Sequence, residues 1–178
     1  MKHGLTIFLG LVFCGAPAAW ALDGVSVTGG VNVNASPAKA DFFQVAVRDK
    51  IDVRWLESDV GALRPYWEVS LSHWNVEHRK NWVAAAGVAA RYEFTAGDAG
   101  APYLEYALGG ALLSNLDVAE NRRVGSSFQF AHRFEIGYRF GHAQENEVGV
   151  GYWHYSNGGI RKPNPGMDFV SMRYTRRF

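Results

Sequence analysis

The chain has 178 residues and a formal net charge of +1, which is enough length for one domain and too little positive charge to favour nucleic acid as a partner. Aromatic residues make up 14% of the chain, and its 20 glycines outnumber its 6 prolines. This composition excludes a disordered chain and favours a β-rich protein with many turns.

The first residues of the chain have the three parts of a secretory signal peptide. Lys2 begins a short basic segment, an apolar stretch covers residues 5–13, and Ala19-Trp20-Ala21 forms a small-x-small cleavage motif. We therefore predict that residues 1–21 are removed and that residues 22–178 form a single β-barrel domain. A short buried helix is the alternative for the leader. The single cysteine of the chain, Cys14, lies within the predicted signal peptide, so the mature chain has neither a disulfide nor thiol chemistry.

Beyond the leader, apolar and polar residues alternate with a period of two, and no stretch is apolar for long enough to form a transmembrane helix. The alternation divides into eight runs, each with one apolar face and one polar or charged face. The runs cover residues 25–34, 43–55, 66–74, 82–94, 103–113, 127–140, 147–156 and 168–178. This even number of runs predicts an all-β fold, an eight-stranded antiparallel transmembrane β-barrel. A soluble secreted β-barrel is the alternative.

Two features favour the membrane barrel. Aromatic residues gather near the ends of the runs, as in the interfacial girdles of outer-membrane barrels, and the chain ends on Phe178 in the outward-facing set of its run. The charged residues on the opposite face are then expected to fill the interior as ion pairs. These interior residues are Arg54, Glu105, Arg133, Glu135 and Arg139.

The membrane barrel also predicts which loops face outward. If the chain begins and ends on the periplasmic side, the loops after the odd-numbered runs lie on the outside. They are expected at residues 34–40, 75–81, 114–124 and 157–167. The turns after the even-numbered runs, such as 97–101 and 141–143, are expected to be shorter.

The seventh and eighth runs carry the residues with catalytic potential. His154 and Ser156 are two residues apart, so both side chains lie on the same face of the predicted strand. Asp168 provides a carboxylate on the next predicted strand. All three belong to the apolar, lipid-facing set. The hydroxyl can act as nucleophile, the imidazole as its base, and the carboxylate as the acid that orients the base. This combination favours acyl transfer to water. Donors for an oxyanion are expected from the following loop, at Asn157, Gly158, Gly159 and Asn164.

The segment from His154 to Asn164, HYSNGGIRKPN, resembles the signature of the lipid A 3-O-deacylase family of the PagL type. This resemblance implies an eight-stranded outer-membrane esterase that hydrolyses the ester at the 3 position of lipid A, with Ser156 as nucleophile, His154 as base and Asp168 as the orienting acid. The segment SSFQF at residues 126–130 resembles the family more weakly. One residue departs from the family pattern, because the family's acid is usually glutamate and Asp168 is a methylene shorter.

Four residues near this motif are candidates for substrate contact. Arg161 and Lys162 stand beside the motif, where they would meet lipid A phosphates. Phe130 lies in the weaker family segment, and His132 follows on the outward face of the sixth run, as a substrate contact or as an interfacial histidine.

The expected partners are lipid A, or lipopolysaccharide, as substrate and the outer membrane as location, and the sequence leaves a homodimer open. No spacing of His, Cys, Asp or Glu indicates a metal site, and no cofactor is expected. Two other functions stay open at this point: a non-enzymatic structural barrel of the same size, and a different lipid enzyme such as a palmitoyltransferase or a phospholipase.

Overall fold

Twelve β-strands make up the computed structural model, which describes residues 22–34, 40–97 and 99–178. The predicted signal peptide lies outside these residues. No helix in the described part of the chain is long and apolar enough to cross a membrane. The strands are β1 (Gly24–Asn32), β2 (Ala40–Lys50), β3 (Trp55–Ser58), β4 (Gly61–Leu63), β5 (Tyr66–Val76), β6 (Arg79–Phe94), β7 (Ala101–Leu113), β8 (Asp117–Ala119), β9 (Arg122–Arg123), β10 (Phe128–Phe140), β11 (Asn146–Ser156) and β12 (Met167–Arg177).

Eight long strands close into a barrel in which every neighbouring pair is antiparallel. The order around the wall is β1, β2, β5, β6, β7, β10, β11 and β12. The wall closes where β12 returns to β1, with pairs running from Gly24 and Arg177 to Asn32 and Phe169. The prediction of an all-β, eight-stranded antiparallel barrel is therefore confirmed.

The two ends of the barrel differ in their connections. We call the upper end the one with the turn 77–78 and the loops 114–127 and 157–166, and the lower end the one with the connections 51–65, 95–100 and 141–145. At the upper end, Glu77 and His78 join β5 to β6 with φ values of 48° and 66°, the left-handed pair that a type I′ hairpin turn requires. The loop predicted at 75–81 is thus mostly strand.

A small hairpin at the lower end corrects three predictions. The second run was expected to continue to residue 55, but β2 ends at Lys50, and β3 and β4 fold into a hairpin that pairs with the end of β6. The connection 51–65 is therefore longer than the upper turn 77–78, against the expectation of short turns at this end. Arg54 leaves the barrel wall with this hairpin and forms an exposed pair with Glu57 at 3.3 Å, so its predicted interior position is wrong.

The lower half of the interior is filled by buried ion pairs. Glu105 accepts hydrogen bonds from Arg91 at 2.7 Å, Arg133 at 2.5 Å and the hydroxyl of Tyr66 at 2.7 Å. A buried charge is costly unless an opposite charge or a hydrogen bond compensates it, and this network provides such partners for the charged side chains inside the narrow barrel. Its other members are Arg48, Glu68, Glu135, Glu147 and Arg173, with Arg139 and Glu93 beneath them. The predicted interior pairing of Glu105, Arg133, Glu135 and Arg139 is confirmed.

The upper half of the interior is apolar and aromatic. Trp74 packs against Tyr155 and Phe169, with ring centroids 4.7 Å and 4.9 Å apart. Trp153 and Met167 belong to the same buried cluster. Because side chains alternate across a strand, these inward residues of β11 and β12 lie directly behind the outward residues of the same two strands. A dense core therefore supports the wall at the upper end.

Candidate active site

His154, Ser156 and Asp168 lie on the outer wall of the barrel at its upper end. His154 and Ser156 are outward positions of β11, between the buried residues Trp153, Tyr155 and Asn157. His154 pairs directly with Asp168 across the β11–β12 ladder. The side chain of His154 is 40% exposed and that of Asp168 is 17% exposed. Strand alternation and register together bring the imidazole and the carboxylate to neighbouring positions on one surface.

The three side chains form a continuous chain of hydrogen bonds. Nδ1 of His154 lies 2.6 Å from Oδ1 of Asp168, and Nε2 of His154 lies 3.0 Å from Oγ of Ser156. A proton on Nδ1 that is donated to the carboxylate leaves Nε2 as an acceptor for the Ser156 hydroxyl. This arrangement can take the serine proton as the oxygen attacks and can stabilise the resulting imidazolium.

Two asparagines, at the end of β1 and just beyond it, hydrogen-bond Asp168. Nδ2 of Asn34 donates to Oδ2 of Asp168 at 2.5 Å, and Nδ2 of Asn32 donates to the Asp168 carbonyl at 2.9 Å. Neither asparagine was predicted as a site residue. The polar Asn-x-Asn spacing at the end of the first run was a visible signal, but only closure of the barrel brings it to Asp168, across 134 positions in the sequence.

The loop 157–166 uses its polar groups largely to hold itself in shape. The N–H of Asn157 donates to Oδ1 of Asn164 at 3.0 Å, and the N–H of Gly159 donates to Oδ1 of Asn157 at 3.0 Å. Nδ2 of the buried Asn157 donates to the Arg161 carbonyl at 2.7 Å. Of the groups predicted to meet an oxyanion, two backbone donors are therefore engaged within the loop. The side-chain amide of Asn164 and the N–H of Gly158 are the donors that the loop can still offer.

A close backbone approach limits the space beside the imidazole. Gly166 has a φ of 67°, and a Cβ atom built there would lie 3.1 Å from Cε1 of His154. Only glycine adopts this conformation without strain and leaves the imidazole where it is. Gly166 was not predicted as a site residue either.

The residues predicted to contact substrate lie around the triad. Phe130 pairs with Ser156 across the β10–β11 ladder, and His132 pairs with His154. The rings of His132 and His154 are 6.1 Å apart, and Nδ1 of His132 lies 2.7 Å from the hydroxyl of Tyr106 on the next strand. Sequence reasoning missed Tyr106.

The basic pair of the loop stands apart from these aromatic residues. Arg161 and Lys162 are exposed in the loop above the triad. They are therefore open to solvent or to a large ligand.

The triad lies on a convex wall. A cavity of about 180 Å³ lies at the opposite, lower end, where Arg48, Arg64 and Tyr66 line it. No group of three or more His, Cys, Asp or Glu side chains in the described ranges is placed to hold a metal ion. A substrate that reaches Ser156 must therefore approach the outer surface of the barrel.

The chain is similar to a protein family and to a solved structure. The family model described as "Lipid A 3-O-deacylase (PagL)" matches residues 41–177. A solved chain described as "Crystal structure of the outer membrane enzyme PagL" has a TM-score of 0.77 and 27% sequence identity, and the alignment covers 87% of this chain and 99% of that chain. No curated protein matches the sequence.

Proposed function

This chain belongs to the lipid A 3-O-deacylase family, and on that premise we propose that Ser156, His154 and Asp168 hydrolyse the 3-O-linked acyl ester of lipid A on the outer wall of the barrel. The chain is thus a lipid A deacylase. The assignment of these residues rests on two hydrogen-bond contacts. Nδ1 of His154 lies 2.6 Å from Oδ1 of Asp168, and Nε2 of His154 lies 3.0 Å from Oγ of Ser156.

The reaction proceeds through an acyl-enzyme. Nε2 of His154 takes the proton from Ser156 as Oγ attacks the ester carbonyl, and Asp168 stabilises the imidazolium that forms. The tetrahedral intermediate collapses when the ester bond breaks, and His154 returns the proton to the released sugar hydroxyl. Water then attacks the acyl-serine with His154 again as base, which releases the fatty acid and restores Ser156.

The loop 157–166 supplies the stabilisation of negative charge. In the tetrahedral intermediate the former carbonyl oxygen carries the charge, and hydrogen-bond donors already in place lower the barrier. The side-chain amide of Asn164 and the N–H of Gly158 take this role. Asn157 and Gly159 support it, because the bond from the Gly159 N–H to Asn157 and the bond from the Asn157 N–H to Asn164 hold the loop in shape.

The position of the triad suits a substrate that lies in a membrane. The outer wall carries exposed apolar side chains below the site, including Phe134, Tyr152 and Val170. Acyl chains of lipid A can lie against this wall, with the ester at the height of Ser156 and the phosphates near Arg161 and Lys162. Phe130 and His132 would border the acyl chain beside the ester. We accordingly place the enzyme in the outer membrane after removal of residues 1–21.

Family membership argues against the two alternatives that the sequence left open. A structural barrel without activity does not require hydrogen-bonded Ser, His and Asp side chains on its outer wall. A palmitoyltransferase or a phospholipase would act on other ester bonds. Pairing of two barrels in the membrane stays a prediction.

Mass spectrometry of lipid A from cells that express the protein tests the proposal. Wild type should release the acyl chain at the 3 position, and Ser156→Ala should leave lipid A unchanged. Ser58→Ala, in the lower hairpin, serves as the matched control and should behave as wild type. If wild type and Ser156→Ala yield the same lipid A, the proposed function is wrong.

A further inference from the structure

The two carboxylate oxygens of Asp168 have different partners. Oδ1 lies 2.6 Å from Nδ1 of His154, and Oδ2 accepts a hydrogen bond of 2.5 Å from Nδ2 of Asn34. The same Asn34 side chain also accepts a hydrogen bond, of 3.2 Å, from the backbone N–H of Asp168 to Oδ1. One amide therefore holds both the carboxylate and the backbone of Asp168.

A second asparagine holds Asn34 in this position. Asn32 is 1% exposed, and its Nδ2 donates to the Asp168 carbonyl at 2.9 Å and to Oδ1 of Asn34 at 3.2 Å. Its Oδ1 accepts the backbone N–H of Asn34 at 3.2 Å. Asn34 is thus fixed through its backbone and its side chain, although it follows the end of β1.

The location of these contacts explains why they are needed. The β1–β12 ladder ends at the pair Asn32 and Phe169, and the Asp168 carbonyl still accepts a hydrogen bond of 2.9 Å from the Val33 N–H, so strand contacts fix the backbone of Asp168 but not its side chain. An aspartate has two rotatable side-chain bonds, so its carboxylate can turn away from His154 unless other partners hold it. Tyr152 on β11 is one such partner, and Asn34 holds the carboxylate from the β1 side. A neutral amide is suited to prevent this rotation, because it donates a hydrogen bond without cancelling the charge that the imidazolium requires.

We propose that Asn34 is a positioning residue that acts through Asp168 and aims this shorter carboxylate at Nδ1 of His154. The inference rests on the proposed function of the triad. Asn34 precedes residue 41, where the match to the family model begins, so this role is not implied by the matched segment. Asn32 at the end of β1 and Asn34 just beyond it thus link the first strand to the reaction.

A double-mutant cycle separates this role from a general structural one. Asn34→Ala should lower kcat about 10- to 100-fold, since it removes a hydrogen bond to a charged group, while KM stays within about twofold. In the Asp168→Ala background the same change should have no further effect. Asn115→Ala is the matched control, because Asn115 holds another upper loop through its bond to the Asp117 N–H. Equal losses from Asn34→Ala in both backgrounds would overturn the proposal.

A ¹H NMR measurement tests the positioning role of Asn34 without enzymatic turnover. The proton between Nδ1 of His154 and Asp168 should give a downfield ¹H resonance in the detergent-solubilised protein, assigned by its loss in His154→Ala. It should persist in Ser156→Ala and Asn115→Ala and disappear in Asn34→Ala. An unchanged resonance in Asn34→Ala, or no such resonance in wild type, contradicts the proposal. Failure of Ser156-dependent deacylation would instead contradict the proposed function, and the resonance would still report on Asn34.

Discussion

Asp168 reaches His154 directly, with 2.6 Å between Oδ1 and Nδ1, although its side chain is a methylene shorter than the glutamate expected from the family resemblance. The direct pairing of the two residues across the β11–β12 ladder makes this possible, because Cβ atoms of opposed residues lie about 5 Å apart. The departure from the family pattern therefore leaves the contact between acid and imidazole in place.

Removal of the negative charge at Asp168 should impair the reaction strongly. Asp168→Asn presents an amide to Nδ1, so the imidazole loses the tautomer that accepts the serine proton, and we expect kcat to fall about 10³- to 10⁴-fold. Asp168→Glu keeps a carboxylate and should retain more activity. Deacylation of purified lipid A in detergent micelles measures both variants. Full activity of Asp168→Asn would show that Asp168 is not the orienting acid.

A methyl group at Gly166 should disturb the imidazole without unfolding the barrel. Its Cβ would lie 3.1 Å from Cε1 of His154, and the φ of 67° adds backbone strain, so Gly166→Ala should lower kcat about 10- to 100-fold through misplacement of His154. Gly29→Ala is the control, since nothing lies within 4 Å of the Cβ that it adds. Heat-modifiable electrophoretic mobility checks that both variants fold. Equal activity of the two variants would rule out this effect.

At the scale of single strands, β11 joins the site to the core. Its inward residues Trp153 and Tyr155 are packed in the upper cluster, while its outward residues His154 and Ser156 carry the proposed chemistry. A strand that is held on its inner face cannot shift its register without moving every side chain to the opposite face. The pairing of His154 with Asp168 on the neighbouring strand is thus maintained by buried aromatic packing.

The interior network should dominate the stability of the strands around it. Glu105 contacts Arg91 and Arg133, all of them buried, so Glu105→Ala leaves two buried guanidinium groups short of a partner and should cost about 3–5 kcal/mol of unfolding free energy. Glu57→Ala breaks the exposed pair with Arg54 and should cost about 0–1 kcal/mol. Urea unfolding in lipid vesicles measures the difference. Equal costs would mean that the interior charges are solvated.

The strands were largely predictable from the sequence, but their ends and connections were not. Alternation located all eight long strands, because the period of two is a local property of an extended chain. It could not show that residues 51–55 leave β2 for the β3–β4 hairpin, since their alternation continues past Lys50. It also could not show that Glu77 and His78 close a two-residue turn, because neither is the glycine or asparagine typical of such turns.

At the scale of the whole molecule, the outer wall of the barrel is apolar and the lower half of its interior is charged, which is the reverse of the arrangement in a soluble protein. Met172, at the centre of β12, is 70% exposed, and Phe134 and Ile136 are exposed on β10. This surface favours burial in lipid, where acyl chains take the place of a protein core.

A charge on this surface therefore tests the membrane location. Met172→Arg should cost about 2–4 kcal/mol of folding free energy in lipid vesicles, because the position lies near the middle of the strand and of the bilayer. Met172→Leu keeps the volume and apolar character of the side chain and should change stability little. Urea titration in vesicles compares the two. A tolerated arginine would indicate that Met172 faces water.

Along the eight long strands, the sequence by itself determined which residues face outward and which inward, and with them the common face of His154 and Ser156, because alternation along a strand is local. Only the tertiary structure decided that Asp168 stands opposite His154, that Phe130 and His132 flank the pair, and that Asn34 reaches Asp168. These contacts depend on strand register and on the closure of β12 onto β1. Register and closure are both set by the packing of the whole interior, so a local sequence pattern cannot predict these contacts.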